Sequence, residues 1–281
     1  MIIKRAEKYG FCSGVRIADM KVKRFVGKGG TGAILGQVVH NERVVQEMEA
    51  LGVRTVEELD EIEEPTIVFS AHGVPGSFHE NARKRGLEIL DTTCKFVYDI
   101  HRESKKALDE GYHLIFIGDP EHREVIGYTG DLNPELYHIV STVEGAHAVD
   151  WKQYPKLKVF YQTTLNAEDY EDVVRTIDAV RQVERADTIC YATKENQEAA
   201  RKLAADPEID LILVIGGRQS ANTKHLWEIC RERKPSYLIQ GADDLDRAWF
   251  EGARGIGVTA GASTPDYVIE EVENAVTALG I

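Results

Sequence analysis

The chain has few cysteines, and no two of them lie close together in the sequence. Its 281 residues contain only Cys12, Cys94, Cys190 and Cys230, with no Cys-x-x-Cys pair among them. Structural zinc sites usually draw ligands from such close pairs, and a disulfide framework needs a much higher density of cysteine. We therefore expect thiols that are kept reduced, some of them for metal or redox work.

Long apolar runs and an excess of positive charge are also missing. No stretch approaches the roughly 20 apolar residues that a membrane span needs, and residues 1–7 lack the apolar core of a signal peptide. The formal net charge is -13, which disfavours nucleic acid and anionic lipid because both attract basic surfaces. The sequence predicts a cytoplasmic protein with no membrane or nucleic-acid partner, which would bind an anion only at a locally prepared site.

Apolar, β-branched runs alternate with amphipathic helical stretches along the chain. This alternation predicts an α/β fold with mainly parallel sheets. The clearest strands are residues 33–35, 66–69, 114–117, 159–161, 211–215 and 256–258. One helix is expected to begin after Asn166 as its N-cap, and another at Thr264 and Pro265, a cap followed by proline at the first helical position.

The order of elements recurs with a period of roughly 90 residues, which is longer than the period of solenoid repeats. In each repeat a strand ends in glycine and a polar residue follows four positions later: Gly36 and His40, Gly118 and His122, Gly216 and Ser220. A second strand ends near His72, Thr163 or Ser263. The pattern predicts three similar α/β domains that present corresponding groups to one centre.

Two cysteines have nearly the same setting, Asp91-Thr92-Thr93-Cys94 and Asp187-Thr188-Ile189-Cys190, and each follows the second strand of its repeat. The third repeat ends before it reaches a cysteine. Cys12 supplies the missing one if the N-terminal strand packs beside the C-terminal region. The predicted domains are therefore residues 14–95, 96–191, and 192–281 together with 1–13. Ligands of parallel α/β units bind at the carboxyl ends of strands, so we expect a central buried site.

Three thiolates could hold an iron-sulfur cluster or zinc, and three ligands leave the fourth corner of a tetrahedral centre open for substrate. Zinc stays open as the rival metal, because zinc sites with three cysteines are well precedented. Cys230 lies in a helical pattern with Leu226 and Trp227, and we expect it to be an ordinary buried side chain.

The strand ends carry many hydrogen-bond donors and little fixed charge. These residues are His40, His72, His122, Thr163, Thr164, Ser220, Asn222 and Ser263. Hydroxyl, amide and imidazole groups, together with helix N-termini, suit a phosphate or diphosphate, and a bound anion would raise the pKa of the histidines. The remaining histidines are expected to be structural or at the surface.

Glu124 is the one carboxylate in this set. A glutamate in a first helical turn is often simply solvated, because acidic side chains favour that end of a helix. Close to an open metal corner, however, a desolvated carboxyl with a raised pKa could act as a general acid, with Thr163 as a relay. We favour the second interpretation.

Ordered motifs along essentially the whole chain resemble the LytB family of 4-hydroxy-3-methylbut-2-enyl diphosphate reductases. The motifs are residues 10–15 (GFCSGV), 39–41 (VHN), 71–74 (AHGV), 91–94 (DTTC), 122–127 (HREVIG), 162–164 (QTT), 189–193 (ICYAT), 220–223 (SANT) and 259–266 (TAGASTPD).

The resemblance implies a pseudo-threefold, trefoil-like arrangement of three α/β domains around a central iron-sulfur site. One 4Fe-4S cluster per chain would be held by Cys12, Cys94 and Cys190, with one iron open to the substrate. The implied reaction is the last step of the non-mevalonate isoprenoid pathway. Two electrons and two protons remove the hydroxyl of (E)-4-hydroxy-3-methylbut-2-enyl diphosphate and give isopentenyl and dimethylallyl diphosphate.

The resemblance also implies roles for individual residues and a partner. Glu124, Thr163 and His122 would be catalytic. The diphosphate substrate would be bound by His40, His72, His122, Thr164, Ser220, Asn222 and Ser263. Electrons would come from a ferredoxin-like or flavodoxin-like donor protein.

The chain departs from the family's usual pattern at three positions. Lys95 and Arg123 stand where proline is usual, and Ala221 stands where a serine is common. We hypothesise that Lys95 raises the cluster potential through its backbone N–H or its charge. Arg123 is either a solvated surface residue or a docking contact for the electron donor, and Ala221 has no hydroxyl to offer the diphosphate.

Two other functions stay open from the residues alone. One is a non-catalytic iron-sulfur carrier or sensor, and the other is a zinc-dependent enzyme that acts on phosphorylated substrates. The clustered donors and Glu124 disfavour a pure carrier, which needs no substrate pocket.

Overall fold

A computed structural model describes residues 2–279 of the chain. Within this range twelve β-strands form three four-stranded sheets, and every strand pair is parallel. The first strand is β1 (Ile2–Arg5), and it belongs to the same sheet as the last strands of the chain. The fold is the three-part α/β architecture that the sequence predicts.

Unit 1 is the sheet with its helices nearest the start of the chain. Its helices are α1 (Ser13–Val26), α2 (Glu42–Ala50) and α3 (Gly76–Lys84). Its strands, in sheet order, are β3 (Arg54–Val56), β2 (Gly32–Leu35), β4 (Thr66–Phe69) and β5 (Glu88–Asp91).

Unit 2 repeats this arrangement. Its helices are α4 (Lys95–Asp109), α5 (Arg123–Thr129), α6 (Val143–His147) and α7 (Glu171–Asp178). Its strands, in sheet order, are β7 (Tyr137–Val140), β6 (His113–Ile117), β8 (Leu157–Tyr161) and β9 (Val183–Arg185).

Unit 3 combines the two ends of the chain. Its helices are α8 (Tyr191–Ala205), α9 (Ala221–Arg231) and α10 (Asp266–Ala278). Its strands, in sheet order, are β11 (Ser236–Ile239), β10 (Leu211–Ile215), β12 (Gly255–Ala260) and β1. Strand β1 pairs with β12 from Ile2 opposite Gly255 to Arg5 opposite Val258.

The three sheets have equivalent strand orders, so β1, β5 and β9 occupy the same position in their units. A cysteine and a helix follow each of these strands. The first strand of the chain therefore completes unit 3. The predicted domain boundaries at residues 14, 96 and 192 stay a prediction, and residues 1, 280 and 281 of the third domain lie outside the described range.

Burial explains why the central strands form. All residues of β2, β4, β6, β10 and β12 are buried, because helices cover both faces of each sheet. Fully covered parallel strands are made of continuous apolar, β-branched runs rather than alternating ones. The carboxyl ends of these strands direct the loops toward the centre of the molecule.

Two helices begin later than the sequence suggests. The turn after Asn166 is a 3-10 segment, Ala167–Tyr170, because the Asn166 side chain contacts Asp169 and Arg201 and does not cap the helix. Helix α10 begins at Asp266 with Pro265 at its N-cap, since the Thr264 hydroxyl donates to the Ile215 carbonyl instead of capping.

Among residues 2–279 no helix is both long enough and apolar enough to cross a membrane.

Candidate active site

Three helices begin directly after a cysteine. Cys12, Cys94 and Cys190 are the N-cap residues of α1, α4 and α8. The Val15 backbone N–H donates to Cys12 Sγ at 3.4 Å, and backbone N–H groups at the starts of the other two helices face the other thiols. The positive end of a helix stabilises a thiolate. The threefold fold thus delivers three soft ligands in equivalent settings.

Burial opposes ionisation of these thiols in the protein without a bound ligand. Desolvation raises the pKa of Cys94 to about 11, and it also raises the pKa of Cys190. A metal centre would reverse this effect, because coordination deprotonates a thiol outright.

The thiols open into a central cavity, and all three units contribute to its wall. Every residue that the sequence analysis places in the site lines this cavity: Cys12, His40, His72, Cys94, His122, Glu124, Thr163, Thr164, Cys190, Ser220, Asn222 and Ser263. The loops after the central strands carry most of these side chains, as expected for the carboxyl edge of parallel sheets.

Gly14 leaves room for the sulfur atoms. A Cβ at this position would lie 2.6 Å from Cys94 Sγ and 3.9 Å from Cys12 Sγ, so any side chain would intrude between the two thiols. Within residues 2–279, no group of three or more His, Cys, Asp or Glu side chains is placed to hold a single metal ion. The three thiols nevertheless form a soft donor set around one space, which fits an iron-sulfur cluster.

Three histidines stand together on the opposite wall. The ring centroids of His40 and His72 are 4.1 Å apart, and those of His40 and His122 are 5.3 Å apart. Burial lowers the pKa of His40 and of His122 to about 4, and it lowers the pKa of His72 well below its usual value. The three imidazoles are therefore neutral at pH 7 in the ligand-free protein.

Several buried polar atoms of this wall have no hydrogen-bond partner among residues 2–279. They are both ring nitrogens of His40, Nε2 of His122, and both amide atoms of Asn222. An unpaired buried polar atom costs roughly 1–3 kcal/mol, so natural proteins keep few of them. Their concentration in one cavity marks a site for a polar ligand.

Hydroxyl groups complete this wall. Ser220 caps α9 by accepting from the Thr223 backbone N–H at 3.3 Å, and Ser263 donates to the His40 carbonyl at 3.1 Å. Thr164 accepts from the Gln162 side-chain amide at 2.8 Å, which leaves the Thr164 hydroxyl proton free. The contact between Ser263 and His40 joins unit 3 to unit 1 at the cavity.

Glu124 is 2% exposed. The Thr163 backbone N–H donates to Oε1 at 2.7 Å, and the Thr163 hydroxyl donates to Oε2 at 2.8 Å. Desolvation raises the pKa of Glu124 to about 7, although both bonds from Thr163 favour the charged form. Glu124 is thus not the solvated helix-start residue of the alternative interpretation, and its carboxyl can hold a proton near neutral pH.

Two of the departures from the family's pattern now have a structural setting. The Lys95 side chain is 80% exposed and donates to Asp99 at 2.6 Å, so its charge faces solvent and is paired. Arg123 reaches out of unit 2 and bonds to Glu57 of unit 1. Its guanidinium is held against the neighbouring unit, although 38% of the side chain stays exposed to solvent.

Sequence reasoning missed the outer wall of the thiol site. The hydroxyl oxygens of Ser13 and Tyr191 are 2.9 Å apart, and the Tyr191 ring lies 5.4 Å from the Phe96 ring. Ser13, Phe96 and Tyr191 each come one or two positions after a cysteine, and this spacing is the sequence feature that could have placed them beside the thiols. Ser13 and Tyr191 are exposed and the three cysteines are only partly buried, so the thiol site lies near the protein surface.

The fold and the cavity define a class: a three-unit α/β protein with a thiol-lined central site and a wall of unpaired hydrogen-bonding groups. A family model described as LytB protein matches residues 3–277. The chain belongs to this family.

Curated relatives match along nearly their full length. The chain is 38% identical over 275 residues to the 4-hydroxy-3-methylbut-2-enyl diphosphate reductase of Clostridioides difficile strain 630. The aligned region covers 97% of this chain and 98% of that protein. It is 36% identical over 279 residues to the protein of the same name from Aquifex aeolicus, with 96% and 94% covered.

Solved structures agree with this assignment. The E-1-hydroxy-2-methyl-but-2-enyl-4-diphosphate reductase of Plasmodium falciparum has a TM-score of 0.92 and 29% identity, over 98% of this chain and 88% of that chain. A second structure, described as the terminal enzyme of the non-mevalonate pathway, has a TM-score of 0.72 and 34% identity, over 99% of this chain and 100% of that chain.

Proposed function

We propose that this chain is a 4-hydroxy-3-methylbut-2-enyl diphosphate reductase that catalyses the last step of the non-mevalonate isoprenoid pathway. The substrate's C–O bond to its hydroxyl breaks, one C–H bond forms, and the oxygen leaves as water. Two electrons and two protons balance the reaction, which gives isopentenyl or dimethylallyl diphosphate. The observation that carries the proposal is the convergence of three thiols, a protonatable glutamate and unpaired imidazole and amide atoms in one cavity.

Cys12, Cys94 and Cys190 are the proposed cluster ligands. Their N-cap positions stabilise thiolates, and the bare backbone at Gly14 leaves space between two of the sulfur atoms. A 4Fe-4S cluster held there, one per chain, would supply single electrons and an open Lewis-acidic iron for the leaving hydroxyl. The family resemblance supports this cluster over zinc.

The diphosphate is proposed to bind on the wall formed by His40, His72, His122, Thr164, Ser220, Asn222 and Ser263. Nδ2 of Asn222, Nε2 of His122 and a protonated ring nitrogen of His40 can donate to phosphoryl oxygens, and the His40 imidazole can gain a second proton as the anion arrives. Binding energy from this end of the substrate, remote from the bond that breaks, positions the hydroxyl beside the thiol site.

Glu124 is the proposed proton donor. Burial raises its pKa to about 7, so the carboxyl can hold a proton near neutral pH, and Thr163 fixes both of its oxygens. The hydroxyl of Thr163 can pass a proton between the carboxyl and the substrate. His122 caps the helix that carries Glu124, since its Nδ1 accepts from the Glu124 backbone N–H at 3.2 Å. His122 thereby orients the acid while its Nε2 stays free for the substrate.

A ferredoxin-like or flavodoxin-like protein is the proposed electron donor. The support is the family resemblance and the position of the thiol site near the protein surface, beside Ser13, Phe96 and Tyr191, which keeps the distance for electron transfer short. A cytoplasmic location is proposed as well, because the four cysteines are free thiols and reducing compartments preserve these.

The test is anaerobic purification followed by an assay with (E)-4-hydroxy-3-methylbut-2-enyl diphosphate and reduced viologen. We expect brown protein with about four irons per chain, and formation of both C5 diphosphate products. Zinc in place of iron would support the zinc-dependent enzyme. Absence of turnover in fully loaded protein would support a carrier or sensor and overturn the reductase.

A further inference from the structure

Arg123 occupies an unusual place between two units. It is the first residue of α5 and directly follows His122, whose imidazole lines the cavity. Its guanidinium crosses to unit 1, where it bonds to the carboxylate of Glu57, the residue after β3. One end of Arg123 is thus fixed beside the catalytic helix and the other beside the strands that lead to His40.

Gly36 makes room for this guanidinium. It follows β2 and has a φ of 69°, a left-handed conformation that favours glycine. A Cβ at Gly36 would lie 2.7 Å from Arg123 Cζ and 3.2 Å from Nε, so any side chain would displace the arginine. Glycine at position 36 therefore allows the left-handed backbone turn and also leaves space for the Arg123 guanidinium.

The other two units do not repeat this arrangement. The equivalent glycine of unit 2, Gly118, faces Gln162, and that of unit 3, Gly216, faces Thr223 and Thr264. In both cases the neighbour is neutral and comes from the same unit. Only at Gly36 does a charged group from another unit fill the space, so the threefold pattern is broken at this point.

The broken symmetry places a cation against Gly36, at the start of the loop that carries His40. The cavity lining includes no lysine or arginine among the described residues, so its donors carry no fixed positive charge. The charge of Arg123 reaches His40 and His72, where it helps to lower the pKa of both imidazoles. Two carboxylates oppose it nearby, Glu57 through the ion pair and Glu42 through its influence on His40.

The ion pair itself contributes little to stability. Arg123 is 38% exposed and Glu57 is 64% exposed, and pairs this open to solvent are typically worth less than about 1 kcal/mol. The main effect of the ion pair is therefore to fix the position of the Arg123 charge near Gly36, and its effect on stability is small.

We propose that Arg123, held against Gly36 at the start of the loop that carries His40, supplies the diphosphate site with a fixed positive charge. The proposal rests on the proposed function, because it requires the diphosphate to lie against these histidines. Glu57 holds the guanidinium in place and also partly neutralises it. Arg123 thus raises the affinity for the anionic end of the substrate without touching it.

Opposite effects of two substitutions test the proposal. Affinity for inorganic diphosphate is measured by calorimetry on anaerobic, cluster-loaded protein at low salt. Arg123→Gln should bind about five- to tenfold more weakly, since a unit charge several ångströms away is removed. Glu57→Gln should bind about two- to threefold more tightly, because it removes the neutralising carboxylate. Both differences should nearly vanish near 1 M salt, where screening acts within about 3 Å.

If Arg123 and Glu57 only held units 1 and 2 together, both substitutions would weaken binding equally, because both break the same ion pair. Equal weakening by both, or weakening that persists at high salt, would overturn the proposal, as would unchanged affinity in Arg123→Gln. Arg123→Lys keeps the charge and should retain most of the affinity; iron content and thermal unfolding confirm that each variant is folded. The measurement does not use turnover, so a failed reductase assay would count against the proposed function and leave the comparison of charges intact.

Discussion

Thr163 donates to both carboxyl oxygens of Glu124, through its backbone N–H at 2.7 Å and its hydroxyl at 2.8 Å. Glu124 lies in the first turn of α5, which follows β6, and Thr163 lies in the loop after the neighbouring strand β8. Thr163 fixes the carboxyl plane, while burial keeps the pKa of Glu124 at about 7. An acid in this state can give a proton to the substrate and recover it near neutral pH.

Replacement of the acid should separate chemistry from cluster binding. Glu124→Gln keeps the size of the side chain and can still pair with Thr163, but it has no proton to transfer. We expect turnover to fall by about 100-fold or more while iron content is unchanged. The measurement is product formation with reduced viologen. Glu121→Gln, at an exposed position on the same loop, is the matched control and should keep full activity.

Much of this site can be predicted from the sequence. The paired cysteine settings and the glycine-to-polar offsets recur at strand ends, so the sequence analysis brought the thiols, the histidines and Glu124 to one centre. The position of β1 follows from the same logic, because Cys12 needs a strand equivalent to those before Cys94 and Cys190.

Other features depend on distances between units that no local pattern encodes. The contact of Arg123 with Gly36 and Glu57 joins residues 66 or more positions apart, and the repeat that includes Gly36 does not indicate this contact. Helix α7 begins at Glu171, later than predicted, for a similar reason. Arg201 of unit 3 donates to the Asn166 side-chain oxygen, which is therefore not available to cap the helix. Tertiary contacts of this kind override local preferences.

The pH dependence of turnover should follow Glu124. The active form of the acid is protonated, so activity should be level below about pH 7 and fall as the pH rises through the pKa of Glu124. Thr163→Val removes the hydroxyl bond that favours the carboxylate, which raises this pKa. The fall should therefore move to higher pH in Thr163→Val and stay in place in Thr163→Ser. A shift to lower pH in the valine variant would contradict this role for the hydroxyl.

Binding of diphosphate should draw protons onto the histidine wall. His40 and His122 each have a pKa of about 4 in the ligand-free protein, so both are neutral at pH 6.5. A bound anion favours the imidazolium form and raises these pKa values. Calorimetry with inorganic diphosphate in two buffers of different ionisation enthalpy should show more proton uptake in the wild-type protein than in His40→Asn, because both ring nitrogens of His40 are unpaired.

The same ligand is used in both proteins, so its own ionisation cancels in the difference. His147→Gln, in an exposed part of α6, is the control and should match the wild-type uptake. Equal uptake in wild-type and His40→Asn would mean that His40 stays neutral when the anion is bound.

The bare backbone at Gly14 should be essential for the thiol site. In Gly14→Ala the new methyl group would lie 2.6 Å from Cys94 Sγ, well inside van der Waals contact, so one ligand must move away from the other two. We expect the iron content of anaerobically purified protein to fall to a small fraction of the wild-type value, with the absorbance of the cluster falling in parallel. Thermal unfolding of the metal-free protein should change little, because Gly14 and the thiols of Cys12 and Cys94 are only partly buried.

Gly145→Ala, in α6, is the control for this substitution. Its new methyl group would lie at an ordinary 3.4 Å from its nearest neighbour, so the variant should keep the wild-type iron content. Wild-type iron loading of Gly14→Ala would mean that Cys94 is not held where a cluster ligand must be.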